Sequence, residues 1–373
     1  MKIGKRMDTI EGFLFSEVRE SLSLIETEGK TIPYKNSFVP KILRKPLIVS
    51  DKGEIKGWKS GGRSALVYYR GKWYDLEGVK PSGKEWVPGV PEGGDTKLEA
   101  ENELKAGALF SQYGKKNNIP ALTEPICLFE YSKIKFNEEP VYASVLETKG
   151  DLRLSYFLGT YLTAAEKAYN RLKDDPSREA KIDQIINKIK AGLTNKIGQW
   201  VGFWYRCLDE NNLLWGTSYE KKPDKMYILN SNAGNNNLTL YRLNDRVAVS
   251  IVDLNGLRTS EEKSKSLEID RIKKRLSIFE MTLYILKRGR SGMNISQYQV
   301  LQTWASKLYK EITPPKGINI YQEQYGYDPF EELGLPKIDD LDIIASFNDG
   351  RRGIKPELIE ETCVTNIYNM FWV

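Results

Sequence analysis

The chain contains no histidine in 373 residues. That absence removes Ser-His-Asp and Cys-His nucleophilic arrangements, the histidine general base and every histidine metal site. Any catalysis must rest on carboxylates, amides, lysine, hydroxyls or a metal held by oxygen. Cysteine is scarce as well. Cys127, Cys207 and Cys363 are far apart and odd in number. They form neither a zinc spacing nor a disulfide framework, which suits a reducing cytoplasm. No apolar run approaches the ~20 residues that span a bilayer. The first residues, MKIGKRMDTIEGF, are basic but lack an apolar core, so no secretory signal is expected.

What is present reads as a globular chain. Hydrophobic residues make up 40% and charged residues 28%, and the length suffices for two lobes rather than one small core. The net charge of +6 permits an anionic partner without demanding one.

The most informative stretch is Asn235 to Gly256, NNNLTLYRLNDRVAVSIVDLNG. Thr239–Arg242 and Val247–Val252 are rich in β-branched and aromatic residues, with Asn244-Asp245 as turn residues between them. A hairpin here brings Asn237 near Asp253. An amide oxygen and a carboxylate at one end of a hairpin can share a magnesium ion, which prefers oxygen ligands. A surface hairpin with polar ends is the plainer alternative.

In chain order, Phe13, Val18, Leu22 and Ile25 have helical spacing and predict a helix over Ile10–Ile25. A connector bearing Pro and Lys follows from Thr31 to Pro46, with no assigned chemistry. Ser64–Tyr69 and Lys72–Leu76 read as paired strands joined by Arg70-Gly71. Before them, Lys59-Ser60-Gly61-Gly62-Arg63-Ser64 is a glycine loop with flanking cations, able to close backbone amides over phosphates. A plain turn is the competing reading.

Gly78 to Glu85 has the GxxxxGK frame of a P-loop, but Glu85 stands where a hydroxyl should be, and the two prolines of WVPGVPEGG forbid a following helix. That reading is rejected. Thr96–Tyr113 predicts a helix capped by Asp95 or Thr96 and ended by Gly114, with Glu101 and Glu103 as its candidate inward acids. Strands are expected near Ile126–Phe129 and Val141–Leu146, and a helix from about Leu152. Asp183–Leu208 predicts a long amphipathic helix and Glu261–Lys287 another.

This order of parts resembles the protein-kinase-like fold. A glycine turn between strands comes first, then a helix with an acid. A strand ending in VLETKGDLR follows, then a long helix and a hairpin between Asn and Asp. VLETKGDLR resembles the kinase hinge. Within the superfamily the chain is most similar to the selenoprotein O corner, where the amide follows directly after the base position. KLEAENELKAGALFSQYGKKNNIP is similar to that family's glutamate helix. The resemblance covers about residues 56 to 260 and rests on order, since no single motif in it is strong.

It implies an α+β, bilobal fold. Residues 1–50 would be an N-terminal extension, 51–147 a β-rich N-lobe and 148–373 a helical C-lobe. It further implies ATP and Mg2+ as cofactors. Asn237 and Asp253 would hold the metal, Glu103 would pair with the phosphate lysine, Gly61 and Gly62 would cover phosphates, and backbone at Glu147 and Lys149 would meet adenine. The chain departs from the pattern in three places. Glu77 stands where the lysine should be, leaving Lys80, or next Lys84, for that role. Asn236 occupies the position of the catalytic base, and Trp215 that of the catalytic-loop histidine. Asp224 is a base candidate from elsewhere.

The expected activity is therefore phosphoryl transfer to a hydroxyl on protein, RNA or a small molecule. AMP transfer is the alternative within the same family. A nucleotide-binding protein without turnover, motivated by Asn236 and Glu77, is a competitor. An RNA-binding protein using Lys188, Lys190, Arg271, Lys273, Lys274 and Arg275 is another. A cytoplasmic location and no membrane partner are expected.

Overall fold

The computed structural model describes residues 21–51, 53–59, 63–87, 89–119, 123–149, 152–153, 175–215, 217–221, 226–230, 238–252, 254, 257–259, eight positions between 265 and 280, and 338–363. It is a mixed α+β structure in two compact units. One comprises Met1–Leu152 with Leu240–Arg242 and Ile251–Leu257; the other holds the remainder.

The first unit begins with strands β1 (Ser21–Glu26), β2 (Gly29–Pro33), β3 (Leu47–Asp51) and β4 (Ile55–Lys59). Next come β5 (Ser64–Tyr69), β6 (Lys72–Glu77), a short hairpin of β7 (Glu85–Val87) and β8 (Val90–Pro91), and helix α1 (Lys97–Lys116). β9 (Thr123–Phe136) and β10 (Glu139–Thr148) complete it. Eight strands form one sheet in the order β2-β9-β10-β6-β5-β4-β1-β3.

This sheet closes on itself. β1 lies near one end of the order and β2 at the other, yet only Thr27 and Glu28 separate them in the chain. Three peptide steps reach no more than about 11 Å, so the ends must meet. Thr27 N donates to Pro46 O at 2.9 Å and Ser132 N to Glu28 O at 3.0 Å. The Tyr131 hydroxyl donates to Leu47 O at 2.8 Å, joining β9 to β3. Inside lies a core of Leu22, Leu43, Leu47, Val49, Ala65, Val67, Leu76, Cys127, Phe129, Val141, Ala143 and Val145.

Residues 21–51 are thus three strands of the sheet rather than an extension before it, and residues 21–25 are extended rather than helical. The segment SLSLIE alternates, and Leu22 is buried. A period of two suits a strand with one face in a core, and it prevails over the wider spacing through Val18 and Ile25. Residues 1–20 lie outside the described positions.

β5 and β6 pair in register from Ser64↔Glu77 to Tyr69↔Lys72, around the expected turn, where Arg70 has φ 48° and Gly71 φ 83°. Two consecutive left-handed residues match the right-handed twist of a hairpin. The rejected P-loop region is the β7–β8 hairpin, not a helix.

Thr96, not Asp95, caps α1. Its hydroxyl accepts from Glu99 N, and the Glu99 carboxylate accepts from Thr96 N at 2.9 Å, a reciprocal capping box. The helix runs through Gly114 and ends at Asn117. Asn118 takes the left-handed conformation at φ 58°, and Ile119 N donates to Gly114 O at 2.8 Å. Asparagine tolerates that region, so glycine is not needed there. α1 lays Ala100 and Leu104 on Leu128, Tyr142 and Leu146 of the sheet. At Gly107 an added Cβ would lie 2.6 Å from Leu146 Cδ2, so glycine sets the approach of helix to sheet.

Beyond this, Leu152–Arg153 form a short strand, β11, rather than the start of a helix. The second unit carries α2 (Arg178–Ile189), a π-helical turn (Lys190–Thr194) and α3 (Asn195–Glu210) as one continuous rod. This is the long amphipathic helix that Ile186, Ile189, Leu193, Ile197, Val201 and Trp204 predict; all six are buried. Past Arg153 the described residues are richer in strands than a helical lobe would be: β12 (Leu213–Trp215), β13 (Thr217–Lys221), β14 (Met226–Asn230), β15 (Leu238–Leu243), β16 (Arg246–Ile251), β17 (Leu257–Thr259) and β18 (Ile359–Glu360), with parts of β15, β16 and β17 belonging to the first unit. β15 and β16 are the expected hairpin strands, joined by Asn244-Asp245 with Asn244 at φ 61°.

α4 (Asp342–Arg352) precedes β18 in the chain. Its cap residue Leu341 has no side chain able to bond the free amides. Glu280 does it instead: its fully buried carboxylate accepts from Ile343 N at 2.8 Å and pairs with Lys190 Nζ at 3.0 Å. A negative charge at a helix N-terminus meets both the orphan amides and the dipole.

Candidate functional site

The side chains that bear on chemistry gather on one face of the first unit's sheet. Strand alternation puts Ser64, Leu66 and Tyr68 of β5 opposite Glu77, Asp75 and Trp73 of β6, and β6 in turn opposite Ser144, Leu146 and Thr148 of β10. Leu146 belongs to the cluster under α1. The face that α1 covers therefore carries Asp75, Glu77 and Ser144, while the other face is the apolar interior.

Arg63 is the centre of charge there. Its Nε lies 2.6 Å from Glu77 Oε1 and its Nη1 3.1 Å from Asp95 Oδ1. Asp95 is 1% exposed and immediately precedes the cap of α1. The Arg63 carbonyl accepts from both Gly78 N and Val79 N, at 3.1 and 3.0 Å. Gly78 sits at φ 82°, and an added Cβ would come within 2.8 Å of Asp95 Oδ2 and 2.7 Å of Tyr142 O. One guanidinium thus joins the end of β6, the start of β5 and the entry to α1. Planar, forked donors make arginine suited to two carboxylates at once.

Lys80 follows directly. Its ammonium donates to Ser64 O at 3.0 Å. Ser64 is two residues past Gly62 in the chain, so Lys80 is held where the expected glycine loop returns to β5. Lys84 is exposed on the β7–β8 side. Of the two helix acids, Glu103 is buried at 4% exposure on the inner side of α1. Glu101 is on the outer side, paired with Lys105 at 3.1 Å.

Glu147 stands in β10 with neighbours on both edges, opposite Tyr74 in β6 and Glu124 in β9. Its carboxylate accepts from Lys72 Nζ at 2.8 Å. That hydrogen bond, with the carboxylate's charge, holds the Lys72 ammonium above its usual pKa. Of the two backbone positions expected at an adenine ring, only exposed Lys149 lies past the end of β10.

Gly61, Gly62, Asn236, Asn237, Asp253 and Asp224 lie outside the described residues. The neighbours of Asp253, Val252 and Leu254, are buried and belong to the first compact unit, which also holds Lys80 and Glu103. Among the described residues no group of three or more Cys, Asp or Glu side chains could hold a metal ion. Trp215 ends β12.

The cations expected to meet RNA are partly committed elsewhere. Lys190 pairs with Glu280 and with Asp342 at 3.1 Å, and Lys273 lies 3.6 Å from Asp339. Lys188 is exposed, and Arg271, Lys274 and Arg275 lie outside the described residues. No described helix is long and apolar enough to cross a membrane.

In the sequence Arg63 stands out only as a flanking cation and Glu77 only as a departure from the kinase-like pattern. The signal available was the alternation Asp75, Glu77 on one face of a strand beside a lone arginine.

No protein-family model matches the chain, and no curated protein matches it.

Proposed function

We propose that the chain is a kinase-like transferase that uses ATP and magnesium to modify a hydroxyl acceptor. The observation that carries this reading is Glu103. A carboxylate buried on the inner side of α1 needs a cation or hydrogen-bond donors as partner, and the sheet that α1 covers has Lys80 and Arg63 at its loop end. In the resemblance, this is the glutamate that orients the phosphate lysine. The chain order of glycine loop, strand pair, acid-bearing helix, strand pair, long helix and hairpin supports it further.

In this reading Asn237 and Asp253 hold magnesium, which neutralises charge on the phosphates. Lys80 contacts a phosphate oxygen from its anchor on Ser64, and Glu103 sets its position. The glycine loop Gly61-Gly62 covers the phosphates, its exit fixed by Arg63. Asn236 cannot accept a proton. Phosphoryl transfer passes mostly through a loose transition state, so positioning and charge stabilisation dominate. A general base adds only ~10²–10⁴-fold. Phosphoryl transfer is preferred over AMP transfer as the superfamily's usual reaction.

Incubation with γ-labelled and α-labelled ATP separates the two chemistries: label on an acceptor from the γ position means phosphoryl transfer, from the α position AMP transfer. No transfer of either label, together with an Asp253→Ala variant that behaves like the parent, would overturn the proposal. Nucleotide binding without turnover is the second reading, favoured by the engagement of Glu77 with Arg63 at the expected lysine position. It predicts thermal stabilisation by ATP that does not depend on magnesium.

A further inference from the structure

The segment between β2 and β3 does not belong to the site above. From Tyr34 to Pro46 it holds four cations, Lys35, Lys41, Arg44 and Lys45, and no acid. Phe38, among them, is 76% exposed, the highest value among the exposed large apolar side chains. Lys45 is paired with Glu26 at 2.7 Å. Lys41 and Arg44 are exposed and have no ion-pair partner among the described residues. Lys35 lies 5.2 Å from the Tyr34 ring, which itself packs towards the α1 cluster.

The loop is built, not slack. Tyr34 N donates to Ile126 O and Ser37 N to Tyr34 O, each at 2.9 Å. The Ser37 hydroxyl donates to Pro125 O at 2.9 Å. Pro40 and Leu43 are buried, and Lys41–Leu43 form a 3-10 turn. An exposed aromatic on a braced loop costs little further ordering when it binds something.

We propose that this loop is a binding surface for single-stranded nucleic acid. A bare aromatic ring is a stacking platform for a base, and cations on either side along the chain serve the flanking phosphates. An anionic membrane is the competing anionic surface. It would need more apolar area than one ring supplies: between the strands Val39, Ile42 and Leu43 are at least partly buried, and beside them only Ile32 of β2, 37% exposed, adds to Phe38. A rigid duplex keeps its bases stacked away from the ring. None of Lys35, Phe38, Lys41 and Arg44 is assigned to the proposed transferase site, so either proposal can stand without the other.

The test uses the full chain with a fluorescent single-stranded RNA of about 12 nucleotides, within the usual site size for such surfaces. Binding is expected to weaken with salt on a log–log slope of about −2, the value for three phosphates met by Lys35, Lys41 and Arg44. Phe38→Ala should lower affinity about 5–150-fold, the range for losing one stacked base. Lys41→Ala should reduce the slope by about 0.7. Both positions are exposed, and unchanged circular dichroism would confirm folding. Absence of binding, or affinity unchanged in Phe38→Ala, overturns the proposal. So does equal binding of the matching duplex, or tighter binding to phosphatidylserine vesicles that Phe38→Ala abolishes.

Discussion

Arg63 Nη1 lies 3.1 Å from Asp95 Oδ1, and through this contact the exit of the glycine loop is tied to the first residue before the cap of α1. The two residues are distant in sequence, and the link runs inside one face of the sheet. A movement of the loop that displaces Arg63 would pull on the base of the helix that carries Glu103.

Breaking this link should be costly. Arg63→Ala leaves Asp95 and Glu77 without their shared cation, and Asp95 is almost fully buried. Removal of one partner of a buried pair typically costs ~3–5 kcal/mol; the partial exposure of Arg63 puts the expectation near ~3 kcal/mol. Urea unfolding of the variant against the parent measures it. A change under ~1 kcal/mol would mean that water already replaces the guanidinium.

Lys80 gives the activity counterpart. Lys80→Ala should lower turnover on the order of 10²–10³-fold, the scale for removing one preorganised charge-stabilising group, with a much smaller change in stability. Lys84→Ala, at an exposed position, should leave turnover close to that of the parent. Steady-state kinetics with ATP distinguishes them, and the reverse ranking would shift the phosphate contact to Lys84.

Glu280 separates charge from hydrogen bonding. Glu280→Gln keeps an acceptor for Ile343 N but loses the charge opposite Lys190. Glu280→Ala loses both and leaves buried donors unpaired. Alanine should therefore be the more destabilising by roughly 1–2 kcal/mol. Thermal unfolding of the two variants side by side provides the comparison.

The thiols supply a pH and reactivity expectation. Burial pushes Cys127 and Cys207 up to about 12, from a usual value of 9.0. A group raised on folding contributes stability below its unfolded pKa and loses that contribution as pH rises through the folded value. Stability should fall between about pH 9 and pH 12 for this reason, and at neutral pH neither thiol should react with a thiol reagent until the chain unfolds. Labelling in native buffer and in urea, read by mass spectrometry, checks this; rapid native labelling of either residue would contradict it.

At the surface, Asp175 is held down to about 2, first by hydrogen bonding to Lys181 and then by Ser177. Its folded pKa lies below the usual 3.8, so its contribution is present above about pH 4 and is lost as pH falls through about 2. Lys181→Ala should move the Asp175 carboxyl titration up towards its usual value, as followed by NMR.

Much of the first unit was legible because local rules and tertiary context agree there. Ser64–Tyr69 and Lys72–Leu76 alternate, and Arg70-Gly71 is a turn pair. Thr96 is one of the two cap candidates, with Asp95, and Glu99 decides for it by completing a capping box. In the second unit, the long rod through Trp204 follows its apolar stripe. The failures have physical causes. Leu22 fits both a helical and an alternating pattern, and only the closed sheet decides between them. Gly114 looks like a helix stop, but Asn118 takes the left-handed turn, and a glycine facing a packed surface can stay helical. The role of Arg63 was hidden because a network of three charges drawn from three elements leaves no spacing in one dimension. Glu280 capping a helix that starts at Asp342 was hidden for the same reason.

The closed sheet has a practical consequence for anyone shortening this chain. A fragment begun at the glycine loop would look reasonable from the resemblance, since the kinase-like order starts there. It would remove β1, β2, β3 and β4 together, strip the cover from Cys127, Phe129 and Tyr131, and leave the outer edges of β5 and β9 unpaired. Two bare strand edges beside an opened core invite chain-to-chain pairing, so such a fragment should precipitate on expression, whereas one that keeps residues 21–51 retains its own plug.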